Sequence, residues 1–161
     1  HRRGLLLDAP LWENAMLGHQ TMAPFARGPF LDRSGARSAT TRIVEHFDVR
    51  TPGIDTSARA LSGGNQQKLV IGREMAASPR LLVAAHPTRG IDVGAQASVW
   101  ADLRAARREG LAMLLVSADL EELIGLADRL VVMLRGRVVA ELDPATTTPR
   151  ILGGYMTGAD E

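Results

Sequence analysis

The sequence contains no cysteine, and 18 of its 19 basic residues are arginine, which leaves Lys68 as the single lysine. Without cysteine there is no disulfide framework and no thiolate zinc site, a usage that suits a reducing compartment. The lone lysine also excludes a P-loop. That loop ends in Gly-Lys-[Ser/Thr] so that a compact charge reaches the β- and γ-phosphates, whereas Lys68 stands between Gln67 and Leu69. The longest apolar runs, such as Leu111 to Val116, fall far short of the roughly 18 residues a membrane-spanning helix needs. A net charge of +1 gives no reason to expect nucleic acid or an anionic membrane as partner. The first eight residues place an acid, Asp8, directly after three leucines, which is not the layout of a signal peptide. They begin without methionine and read as a truncated piece of a longer polypeptide.

What remains is a chain of 161 residues, 45% hydrophobic and 23% charged, which is one globular domain's worth of sequence. Arg3 to Asp8 reads as a short edge strand. Pro10 opens a helix with Trp12, Ala15 and Met16 on one face. Gly18 to Ser38, with Pro24, Gly28, Pro29 and Gly35, reads as loop. A helix over Ser38–Phe47 follows, then Pro52-Gly53 and an irregular stretch leading to Leu61.

Leu61-Ser62-Gly63-Gly64-Asn65-Gln66-Gln67-Lys68 is the segment around which the rest is arranged. Ser62 is an N-cap, and two glycines let backbone approach a ligand closely. The helix expected over Asn65–Ala77 turns its unpaired N–H groups and positive dipole end toward that bend, which suits a phosphate. Alone, such a bend signals only a helix cap. What sharpens it is the order downstream. Leu81 to Ala85 reads as a strand buried on both faces. Pro87-Thr88-Arg89-Gly90-Ile91-Asp92-Val93-Gly94-Ala95 leads into a helix over Ala95–Glu109 closed by Gly110. A strand over Leu111–Val116, a helix over Asp119–Ala127, a hairpin of Leu130–Leu134 with Val138–Leu142, and a last helix over Pro149–Met156 complete the alternation of a parallel sheet with covering helices.

These residues resemble the ATP-binding cassette (ABC) family: Leu61 to Gly64 as its LSGG signature, and the continuation with the Pro87–Ala95 run as its simple-sugar and nucleoside importer branch. The resemblance runs from about Arg2 to Thr157 and corresponds to the C-terminal part of the second nucleotide-binding domain. It implies an α/β fold, a partial P-loop-NTPase-like, mostly parallel sheet with covering helices, preceded by an α-helical subdomain. The helical subdomain would be residues 1–77 and the ATPase-core part residues 78–161. It also implies ATP and Mg²⁺ in the full-length complex, with none expected on the isolated fragment. The implied partners are a first nucleotide-binding domain or a paired copy and a transmembrane permease, at the cytoplasmic face of the membrane. Nucleotide-facing positions would be Ser62, Gly63, Gly64, Asn65 and Gln66, with Asp92 as the D-loop residue or the N-cap of the helix after it.

The sequence departs from the family where hydrolysis needs most. The Mg²⁺-binding and water-positioning carboxylates, expected at the end of the strand before Pro87, are replaced by Ala85 and His86, and the switch histidine falls at Ala118. An alanine cannot hold Mg²⁺, and general-base catalysis by His86 achieves little without a metal beside it; a strand-end role is the simpler reading. The resemblance therefore implies an asymmetric pair, in which this chain lends an intact signature to a nucleotide held by the other domain while its own catalytic positions are degenerate. A non-catalytic regulatory or interaction module with the same fold is the alternative. An unrelated α/β enzyme using His86 would need a carboxylate or hydroxyl beside the imidazole. Trp100 reads as helix core; Arg104, Arg107 and Arg108 read as a solvated face. His1, His19 and His46 have no metal-ligand spacing. Loss of upstream strands would leave an open strand edge and favour a homodimer or a strand-swapped dimer.

Overall fold

The computed structural model describes residues 4–158. These form two compact units: one runs to Leu82 and takes in Thr88–Val99, and the other comprises Val83–Pro87 and the chain from Trp100 on.

In the first unit, α1 (Leu11–Ala15), α2 (Arg33–His46) and α3 (Gly63–Ala76) pack together, with a small hairpin of β1 (Ala26–Arg27) and β2 (Phe30–Leu31) between the first two in sequence. Phe25, Ala36 and Ala39 make one core cluster, closed by Trp12 and Met16. Gly72 lets α3 approach α2 closely, since a Cβ there would lie 2.7 Å from both Ile43 Cγ2 and Phe47 Cδ2.

Two expectations need correction in this unit. The described part of the expected edge strand, residues 4–8, is irregular, and Arg3 lies outside the described residues. Only an isolated bridge, Pro10 to Ser57, forms along that stretch. Pro10 has no N–H to donate, and the facing segment turns into a 3₁₀ helix at Ala58–Ala60, so no ladder propagates. The buried Asn14 satisfies the segment instead: its Oδ1 accepts the Leu6 N–H at 2.8 Å, and its Nδ2 donates to Leu6 O at 2.9 Å. The supposed loop to Ser38 also contains the β1–β2 hairpin, and α2 begins at Arg33 because Asp32 accepts the Gly35 N–H at 2.9 Å. Gly35 is there for close approach, since a Cβ would sit 2.1 Å from Pro24 O.

The second unit takes in β3 (Leu81–Ala85) from Val83 on and β4 (Ala112–Val116), its hydrogen-bonded neighbour. The His86 N–H donates to Val116 O at 2.7 Å, so the C-terminal ends of the two strands meet and the pair is parallel. α4 (Val93–Arg108) connects them; α5 (Leu120–Leu126), β5 (Leu130–Leu134), β6 (Arg137–Leu142) and α6 (Pro149–Thr157) follow. β5 and β6 pair antiparallel through Arg135-Gly136, both in the left-handed region, as a two-residue hairpin turn requires. Leu130, Val132 and Leu152 are the buried centre, covered by α5, β6 and α6.

The β3 strand is not buried on both faces. Leu81 is 58% exposed and Val83 61%, and Leu114 and Val116 on β4 are similarly open. Alternate residues along each strand point to one side, and among the described residues nothing covers it. Both β4 and β5 also line a largely apolar cavity of about 700 Å³, so the β3–β4 and β5–β6 pairs do not join into one sheet. An uncovered apolar face beside open strand edges favours association. Light scattering on the chain at high concentration should therefore give a mass above one protomer; a clean monomer would contradict this.

Candidate functional site

Three side chains in the first two turns of α3 assemble the bend at its start. Ser62 caps the helix, its Oγ accepting the Asn65 N–H at 3.4 Å and Asn65 Nδ2 at 3.0 Å. The Oδ1 of Asn65 accepts the Arg50 N–H at 2.9 Å. Gln66 turns inward: its Nε2 donates to Ala58 O at 3.0 Å and to Leu61 O at 3.2 Å, which fixes the approach to the bend. Lys68 is buried, and its Nζ donates to Asp48 O at 3.1 Å and Asp48 Oδ2 at 3.3 Å. Nothing in the sequence marks Lys68, Asp48 and Arg50 as one assembly, because they meet only when α2 and α3 pack. The donors of Gln66 are thus committed to backbone, while Ser62 and Gly63 remain exposed.

Gly63 and Gly64 lie against residues 90–92. A Cβ on Gly63 would sit 3.5 Å from Gly90 O, and one on Gly64 3.4 Å from Ile91 Cγ2. Both are ordinary contacts, so the protein's own packing leaves room for a side chain at either position. Asp92 stands beside Gly64 and caps α4, its Oδ1 accepting the Ala95 N–H at 2.9 Å. That backbone bond is the main cause holding its carboxyl below the usual range, with smaller help from other amides and from the charge of Lys68. The cap reading of Asp92 is thus realised.

The bend fits a phosphate group. Its exposed polar atoms are the hydroxyl of Ser62 and the first N–H groups of a fourteen-residue helix, which have no intrahelical acceptor.

The positions that would hold Mg²⁺ do not fit it. Ala85 offers no ligand atom for Mg²⁺, Ala118 offers no imidazole for a phosphate, and no cluster of three metal-binding side chains occurs among the described residues. His86 takes a left-handed backbone, φ 50°, uncommon outside glycine, while its N–H ties β3 to β4. The nearby hydroxyl of Ser117 is engaged by the Asp119 N–H at 3.0 Å. The backbone of His86 thus closes the end of the β3–β4 pair.

The arginines of α4 are not a plain solvated face. Arg104 stacks 5.6 Å from the Trp100 ring centre and donates to Gly125 O. Arg107 donates to Leu126 O at 2.9 Å and pairs with Asp128 at 3.0 Å. Both satisfy carbonyls at the C-terminal end of α5, where cations are favoured. Trp100 is half-buried and donates to Glu122, which agrees with a packing role. His19 lies 3.9 Å from Glu74 and His46 stacks edge-on to Phe47, while His1 lies outside the described residues.

No family model matches the chain. It is 44% identical, over its full 161 residues, to the guanosine import ATP-binding protein NupO of Bacillus subtilis, covering 32% of that protein. It is 41% identical over 160 residues to the nucleoside import ATP-binding protein NupA of Lactococcus lactis, again 32% of the relative and 99% of this chain. The ribose import ATP-binding protein RbsA 1 of Streptomyces avermitilis is 43% identical over 146 residues, 89% of this chain and 28% of that protein. The chain thus spans about a third of the length of these curated relatives. Among solved structures, the dimeric ABC cassette MJ0796 in a post-hydrolysis state with ADP and Pi superposes with a TM-score of 0.73 at 19% identity, over 87% of this chain and 59% of that one. The cassette MJ1267 in its ADP conformation gives 0.68 at 20%, over 96% and 61%. These likenesses show the cassette fold.

The depressed Asp92 carboxyl has a pH consequence. A carboxyl held below its unfolded value contributes stability that is present above that value, near pH 4, and is lost as pH falls through the folded one. Hydrogen exchange at Ala95, corrected for intrinsic rate, should therefore accelerate below about pH 4, and an Asp92→Asn variant should lack that inflection. An unchanged profile in the variant would show that the cap does not couple to titration.

Proposed function

Homologous along its whole length to the ATP-binding proteins of nucleoside and ribose importers, the chain matches the C-terminal part of an ABC nucleotide-binding domain; we propose that it couples ATP to substrate import by completing a nucleotide site on a partner domain. The observation that carries this reading is the exposed, donor-bearing bend at Ser62–Gly64. Its partner would be the first nucleotide-binding domain of the same polypeptide or a paired copy, whose P-loop lysine and carboxylates grip the nucleotide. ATP would supply the anionic phosphate and the bond whose hydrolysis resets the pair.

The roles of this chain's residues follow from their chemistry. Ser62 donates its hydroxyl proton to a phosphate oxygen. Gly63 and Gly64 keep the approach clear of side chains, while the start of α3 adds its dipole. Asp92 stays with α4, facing the partner as D-loop residue. Asn65 and Gln66 act on the shape of the bend. A helix N-terminus contributes on the order of 0.3–1 kcal/mol to a nearby anion, a completing contact too weak to hold ATP alone. Ala85 and His86 leave this chain's own composite site without the metal-binding and water-positioning carboxylates, and Ala118 leaves it without the switch histidine, so the pair would hydrolyse ATP on one side.

A transmembrane permease would receive the motion, with the ATPase pair peripheral on the inner face of the membrane; no helix among the described residues is long and apolar enough to cross it. The nucleoside side of the branch is favoured by the Ala84-Ala85-His86-Pro87 wording and by the names of two relatives. The same loss of metal ligands supports a second reading, a non-catalytic module that docks on a partner ATPase. A Gly-x-x-x-x-Gly-Lys in the sequence upstream, with another complete cassette before it, selects the first.

Calorimetric titration of the chain alone with Mg-ATP should give no measurable heat of binding; micromolar affinity would contradict the reading. In the full-length protein, Gly63→Asp should lower ATP turnover by at least about 100-fold, since like charges brought together cost several kcal/mol. It should leave folding intact, because a first-turn acid suits the helix. Unchanged turnover would overturn the proposal.

A further inference from the structure

Resting on that reading of the bend, we propose that Asn65 is a positioning residue that makes Ser62 a hydrogen-bond donor only. A serine oxygen has two acceptor lone pairs and one proton. At Ser62 both lone pairs are filled by one neighbour: the Asn65 N–H at 3.4 Å and its Nδ2 at 3.0 Å. The proton is then the only hydrogen-bonding capacity left, and it must seek an acceptor outside the bend.

The orientation of the Asn65 amide is set by a second contact. The Arg50 N–H can only donate, and it lies 2.9 Å from Oδ1, so the oxygen faces Arg50 and the nitrogen faces Ser62. Three residues along, Lys68 holds the same 48–50 segment through Asp48 O, which keeps Arg50 where Asn65 needs it. The chain of cause runs from the Asp48–Arg50 backbone to Asn65, and from Asn65 to the Ser62 hydroxyl. The exposed Ser62 hydroxyl consequently presents a donor alone. It recognises an acceptor-only group, a terminal phosphate, and discriminates against a sugar hydroxyl offered as donor or a hydrated cation.

The first test needs no nucleotide. The chain has two asparagines, the buried Asn14 and Asn65, so Asn-selective ¹⁵N labelling yields two side-chain amide pairs. Ser62→Ala should shift the Asn65 pair and speed its exchange while leaving the Asn14 pair in place. No change at Asn65 overturns the inference, whatever nucleotide does. The second test is a double-mutant cycle on Mg-ATP affinity in the full-length protein. Ser62→Ala should weaken binding about 10- to 100-fold, the range for a hydrogen bond to a charged group, and Asn65→Ala about 3- to 10-fold. The double variant should be no weaker than Ser62→Ala alone. Losses that multiply would show Asn65 acting independently of Ser62 and overturn the inference while the proposed function stands. Unchanged affinity in Ser62→Ala would overturn the function itself and this inference with it. The labelling arm uses only Ser62→Ala, so it decides even if Asn65→Ala fails to fold.

Discussion

The constraint on which the rest depends is the fastening of α3 at its first two turns. Asn65 and Lys68 both hold the 48–50 segment, through the Arg50 N–H and Asp48 O, and Gln66 donates to the 58–61 turn. Backbone groups that would otherwise be orphaned near the bend are thereby satisfied. The same bonds leave Ser62 and Gly63 on the outside, capped but uncovered. A helix start built this way is tied to its own unit while Ser62 and Gly63 face outward.

Around that bend the chemistry is one-sided. The Ser62 hydroxyl is supported and exposed, while the positions that the resemblance assigns to metal binding, water positioning and the switch histidine are Ala85, His86 and Ala118. These substitutions lie at or just beyond the C-terminal ends of β3 and β4. On the proposed reading, one nucleotide would be closed over by Ser62–Gly64 and hydrolysed by the partner's groups, while the other would find no metal-binding carboxylate at Ala85.

Legibility in the sequence followed the range of the interaction. The N-cap at Ser62, the glycine closing α4, the hairpin at Arg135-Gly136 and the α/β alternation all rest on neighbours within a few residues, and all were readable. The early start of α2 was hidden because Gly35 looks like a loop residue until Pro24 O is found against it. The burial assumed for β3 failed because an apolar run shows only that a strand can be covered, not that a covering element is there. Gln66 illustrates the same limit at the site: the resemblance implies a nucleotide-facing position, and its amide donates to Ala58 and Leu61, contacts that only the folded 58–66 turn creates.

The most direct measurement of the central claim is amide hydrogen exchange across residues 62–66 in the full-length protein, with and without Mg-ATP. The account predicts that nucleotide slows exchange there, and that the slowing disappears when the P-loop lysine of the partner domain is replaced. Slowing that persists without that lysine, or a bend indifferent to nucleotide while the protein still turns it over, would contradict it.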